Sequence, residues 1–81
     1  MTPEEARTTV RDALRQVAPD AEFDTLPPDT SLRDTLELDS LDFEALVVQL
    51  SERSGHRIDE DDYPQLTTVG SCVDYLASRA P

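Results

Sequence analysis

Apolar residues recur along this chain at spacings of three and four, in blocks separated by stretches rich in proline and acid. In the opening block Ala6, Val10, Ala13, Leu14 and Val17 fall on one helical face. Ahead of them, Thr2-Pro3-Glu4-Glu5 offers a capping hydroxyl, a proline at the first helical position and a glutamate able to complete a capping box. Pro19 follows, so the pattern predicts a first helix over about residues 3–17. A second begins at Asp39-Ser40, where either side chain can accept from the free N–H groups of a helix start. It runs to about Ser54, where Gly55 supplies a left-handed stop. Asp59-Glu60-Asp61-Asp62-Tyr63 suits the start of a third, which Pro64 keeps short. Thr67 and Thr68 then lead into Val69, Cys72, Val73, Leu76 and Ala80, the apolar stripe of a fourth.

Residues 18–38 hold Pro19, Pro27 and Pro28 and cannot form one regular element. A free loop of that length is unusual in a compact domain, so Phe23, Leu26, Leu32, Leu36 and Leu38 are expected to pin it. Ser31-Leu32-Arg33-Asp34 has the form of a second capping box that could open a single helical turn. No segment alternates as a strand would. The predicted fold is all-α: a four-helix bundle with a long first loop and a short third helix, forming one domain over residues 1–81.

The second predicted helix has two apolar faces. At about 100° per residue, Phe43, Leu46, Val47 and Leu50 form a stripe for the core. Leu41, Ala45 and Val48 form another on roughly the opposite side, with Glu52 on it and Asp42 and Glu44 beside it. Scattered exposed apolar residues are ordinary. The sharper reading is a docking face, in which Leu41 and Val48 anchor partners that present a basic rim.

Charge strengthens that reading. The formal net charge is −11, with 18 acids against 7 basic residues, and all 7 are arginine. Residues 1–17 and 63–81 are each neutral, whereas residues 18–62 hold 14 acids against Arg33, Arg53 and Arg57, which is the whole excess. Nucleic acid is excluded as a natural partner, and basic protein surfaces are favoured. A lone cysteine and the lack of a long apolar run point to a cytoplasmic protein with no membrane span. Cys72 lies on an apolar stripe and reads as core. His56 reads as a solvated exit residue, about 24 Å along the helix from Ser40, too far to serve as its base. No catalytic or metal-ligating set emerges.

Leu38-Asp39-Ser40-Leu41-Asp42 resembles the Asp-Ser-Leu attachment motif of the acyl carrier protein family. Ile58-Asp59-Glu60-Asp61-Asp62, Leu66-Thr67-Thr68-Val69 and Val73-Asp74-Tyr75-Leu76 resemble that family's third and fourth helices at the expected distances from the serine. The likeness spans about residues 31–79. It implies that a separate phosphopantetheinyl transferase moves 4'-phosphopantetheine from coenzyme A to the Ser40 hydroxyl. The arm's thiol would then hold an acyl group, with aminoacyl and polyketide groups among the options, as a thioester, and the carrier itself would catalyse nothing. Implied partners are loading ligases, synthases or transferases with basic patches, meeting a monomer at Asp39, Leu41, Asp42, Glu44, Ala45, Val48 and Glu52.

Two features depart from the family pattern: Glu37 stands where glycine is common, and Phe43-Glu44-Ala45 reverses the usual apolar-then-acid order. The pair Asp42-Phe43, together with Asp62-Tyr63-Pro64, looks more like the specialised stand-alone carriers than the main fatty-acid carrier. A rival reading keeps the chain as an unmodified acidic interaction module in which Ser40 only caps a helix. A calcium site at Asp59-Glu60-Asp61-Asp62 lacks the alternating ligands and central glycine of an EF-hand loop.

Overall fold

The computed structural model describes residues 1–80. Helix α1 spans Pro3–Val17, and its predicted capping box forms in both directions: Glu5 N–H donates to Thr2 Oγ1 and Thr2 N–H to Glu5 Oε1, each at 3.1 Å. Its buried face is Ala6, Val10, Ala13 and Leu14. Helix α2 is the single turn Leu32–Thr35, α3 is Ser40–Ser54 and α4 is Val69–Arg79. The α1 helix packs against both α3 and α4. The fold is the expected all-α bundle, and no helix among the described residues is long and apolar enough to cross a membrane.

The long connection is pinned as its apolar residues predict. Phe23, at the head of a short 3₁₀ turn (Phe23–Thr25), and Leu32 and Leu38 are buried, while Leu26 and Leu36 are partly so. Backbone pairing adds a restraint that the side-chain pattern does not encode. Gly70 N–H donates to Pro28 O at 2.7 Å, Val69 N–H to Thr30 O at 3.1 Å and Leu32 N–H to Thr67 O at 3.0 Å, making an isolated antiparallel bridge between Ser31 and Thr68. The loop is thus stitched to the start of α4. At α2 only half of the expected capping box forms, with Asp34 N–H donating to Ser31 Oγ at 3.3 Å.

The short third helix is a 3₁₀ helix, Glu60–Leu66, with Pro64 inside it. Three-residue turns tolerate a proline that would break a longer α-helix. Gly55 ends α3 at φ 71°, in the left-handed conformation expected of it.

Two expectations need correction. On α4 the buried face includes Tyr75, while Val73 is only partly buried. Tyrosine presents an apolar ring with a polar tip, so a tally of aliphatic residues passes over it. His56 is not a solvated exit. Its Nε2 lies 3.1 Å from the Tyr75 hydroxyl, and the rings meet edge to face with centroids 5.7 Å apart. The same hydroxyl donates to Asp62 Oδ2 at 2.7 Å, and Arg79 reaches Asp62 at 3.5 Å. This network ties the end of α3 and the 3₁₀ helix to α4. Burial, then the bond to Asp62, pushes the Tyr75 hydroxyl up to about 12. Cys72 is buried and its thiol is likewise pushed up to about 12 by burial, which leaves it protonated and inert as a core residue.

Candidate functional site

The site is built where the long connection turns into α3. Asp39 is the cap: its Oδ1 accepts from Asp42 N–H at 2.8 Å. Ser40 is the first residue of the helix and is exposed. Its hydroxyl holds no backbone bond among the described residues, so of the two side chains able to cap α3 it is Asp39 that does so, and the rival reading of Ser40 as only a cap loses its support. The reason is competition: a carboxylate is a stronger acceptor than a hydroxyl, and the preceding position already has the geometry of a cap. The Ser40 oxygen is left free at the positive end of a four-turn helix.

Ser40 has one side-chain neighbour that the sequence reading did not pair with it. Arg33 Nη2 lies 3.5 Å from Ser40 Oγ. The guanidinium also stands 5.5 Å from the centroid of Phe43, whose ring meets Tyr63 edge to face at 5.5 Å. Arg33, Phe43, Glu44, Glu60 and Tyr63 join Ser40 in lining an open cleft of about 600 Å³ between α3 and the 3₁₀ helix. The available signal was a lone cation in an acid-rich stretch seven residues before the serine. One turn of helix and a reversal bring it round, and that reversal is not written in apolar spacing.

The outer side of α3 carries the second apolar stripe. Leu41 is 76% exposed and Val48 48% exposed, the two large hydrophobic side chains open to solvent among the described residues, while Phe43, Leu46, Val47 and Leu50 are buried. Asp39, Glu44, Ala45 and Glu52 are exposed, and Asp42 is half-buried. Helical spacing brings Leu41, Ala45, Val48 and Glu52 into one row starting beside Ser40. His56 stands past the other end of α3, on Tyr75. Among the described residues no group of three or more His, Cys, Asp or Glu side chains could hold a metal ion.

A serine hydroxyl free of capping, facing solvent beside a guanidinium at a helix start, fits a covalently attached phosphodiester. Comparison with known proteins agrees with that chemistry. The family described as "Phosphopantetheine attachment site" matches residues 7–76. An acyl carrier protein of Acidothermus cellulolyticus is 36% identical over 78 residues, covering 96% of this chain and 92% of the relative. One from Lactobacillus johnsonii is 33% identical over 79 residues, covering 98% of each. The solution structure of an Anaplasma phagocytophilum protein described as an acyl carrier superposes with a TM-score of 0.83 at 31% identity, covering 96% of this chain and 91% of the other. The chain belongs to the phosphopantetheine-attachment family, and within it to the acyl carrier proteins.

Proposed function

We propose that Ser40 is the residue that takes 4'-phosphopantetheine, delivered from coenzyme A by a separate phosphopantetheinyl transferase. The observation that carries this is the freedom of the Ser40 hydroxyl: Asp39 does the capping, and Ser40 faces solvent at the first residue of α3. Once attached, the group supplies a thiol on which an acyl cargo rides as a thioester, and the protein works as an acyl carrier. The base that removes the hydroxyl proton is assigned to the transferase, since the one histidine, His56, stands past the far end of α3 and is bonded to Tyr75. The chain itself is a carrier and not a catalyst.

Partners are enzymes of acyl metabolism. The finer reading is that the transferase and the loading enzymes meet the row Leu41, Ala45 and Val48 through basic rims that pair with Asp39, Asp42, Glu44 and Glu52. The chain does this as one carrier domain over residues 1–81, a cytoplasmic monomer. Asp42-Phe43 and Asp62-Tyr63-Pro64, which resemble specialised stand-alone carriers, keep an aminoacyl or secondary-metabolite cargo open beside a fatty acyl one.

The test is direct. The protein is incubated with coenzyme A, magnesium and a broad-specificity phosphopantetheinyl transferase, and intact mass is recorded. Wild type gains one phosphopantetheinyl group and Ser40→Ala gains none. An unchanged wild-type mass, or a modified Ser40→Ala, removes the assignment.

A further inference from the structure

Arg33 is placed as if for an anion that the folded chain does not itself provide. Its Nη2 lies 3.5 Å from Ser40 Oγ, the outer limit of a hydrogen bond. A neutral hydroxyl is a weak partner for a guanidinium. The four carboxylate ion pairs within 4.0 Å among the described residues use Arg7, Arg11, Arg57 and Arg79, so Arg33, like Arg15 and Arg53, has no such pair, and of these three it alone stands beside Ser40. Its position is nevertheless held. The face of Phe43 backs the guanidinium at 5.5 Å, and Tyr63 braces that ring edge-on. Aromatic backing restrains a side chain that would otherwise sweep through many rotamers.

A phosphodiester on the Ser40 oxygen would put anionic oxygens two bonds beyond the atom that Arg33 already touches, on the phosphorus bonded to it. The planar fork of a guanidinium matches phosphate oxygens and forms shorter, stronger bonds with them than with a hydroxyl. Asp39 and Asp42, exposed and half-buried beside Ser40, oppose a phosphate there by like charge. A nearby cation offsets them. We propose that Arg33 is the anchor for the phosphate of the arm, holding its first atoms at the mouth of the cleft that Arg33 itself lines. This rests on Ser40 being the attachment point, and it adds a binding residue from outside the attachment motif and outside α3.

The experiment compares wild type, Arg33→Gln, Arg33→Lys and Arg53→Gln, each before and after phosphopantetheinylation, with loading verified by intact mass. Arg53 is the control, an exposed arginine on α3 bonded to Gln49. Melting temperature and the ³¹P resonance of the phosphodiester are read at low salt and in 1 M NaCl. The melting-temperature gap between wild type and Arg33→Gln should be about 3 °C wider in the modified proteins than in the unmodified ones, as a partly exposed charge pair in a domain this size gives. The widening should shrink in 1 M NaCl, where charges are screened beyond about 3 Å. The ³¹P resonance should move in Arg33→Gln, move less in Arg33→Lys and stay in place in Arg53→Gln. An equal gap before and after modification, with an unmoved ³¹P resonance, would mean that Arg33 only packs on Phe43, and the proposal fails. No added mass on wild type would remove the Ser40 assignment and this anchor together, so the two failures are distinguishable.

Discussion

Glu37 adopts φ 54°, the left-handed region that favours glycine, and among the described residues no other non-glycine residue does so. Its surroundings explain why. Leu38 N–H donates to Arg33 O at 3.0 Å, the six-to-one bond of a Schellman ending, which makes Glu37 the left-handed residue after α2 and buries Leu38 beyond it. The sequence shows a glutamate where the family often has glycine, which suggests a different approach to Ser40. The structure keeps the left-handed turn and strains a glutamate into it. Glu37→Gly should therefore stabilise the fold by about 1 kcal/mol, the left-handed strain relieved less the extra freedom of glycine in the unfolded chain. Urea unfolding reads this directly, and a less stable Glu37→Gly would show that the turn carries no strain. Ser40 shows the same limit of legibility from the other side. Its position at a helix start is plain in the sequence, but which of two adjacent oxygens does the capping depends on backbone geometry three residues deep, and only the structure separates Asp39 from Ser40.

At the scale of elements, the helices that bury a regular stripe were legible and the contacts between non-helical backbones were not. The α1 and α3 helices start and stop close to their predicted places because caps, a proline and Gly55 are local signals acting within one turn. The stitch between the long connection and α4 joins residues some forty positions apart through N–H and C=O groups, which no side-chain pattern records. Gly70 is its one side-chain trace. A Cβ at Gly70 would lie 2.9 Å from Pro28 O, closer than such atoms approach, and 3.1 Å from Pro28 Cβ, a tight contact that needs a shift of a few tenths of an ångström. Helix propensity alone says that Gly→Ala in a helix gains up to about 1 kcal/mol. Here the clash is with backbone held by the 2.7 Å bond from Gly70 N–H to Pro28 O, which has no flexible end to yield. Gly70→Ala should destabilise by about 1 to 3 kcal/mol, the usual cost of overpacking. Thermal or urea unfolding gives the sign, and a stabilised Gly70→Ala would mean that the connection is loosely held.

Across the whole molecule, the large apolar side chains left exposed among the described residues lie on α3, inside the segment that carries the charge excess. The segment that holds the full excess of 11 negative charges includes Ser40 and the exposed Leu41 and Val48. Neither leucine nor valine gains folding free energy by facing water, and the carboxylates beside them repel one another, so the arrangement is explained by binding better than by stability. Two substitutions divide the contributions. Leu41→Ala removes an exposed anchor and should leave stability within about 0.5 kcal/mol of wild type. It should lower kcat/KM for modification of Ser40 roughly tenfold, as the loss of one anchor in a small interface does. Glu44→Arg should act on the approach instead. Reversing one charge in a steering field lowers the association rate and flattens its dependence on ionic strength. A plot of log kcat/KM against salt should therefore be shallower for Glu44→Arg than for wild type, while Leu41→Ala should run parallel to wild type and below it. Helical circular dichroism should be unchanged in both. If either variant loses helicity, the faces of α3 are misassigned; if both retain wild-type kcat/KM and slope, the transferase docks elsewhere and the row beside Ser40 is ordinary surface.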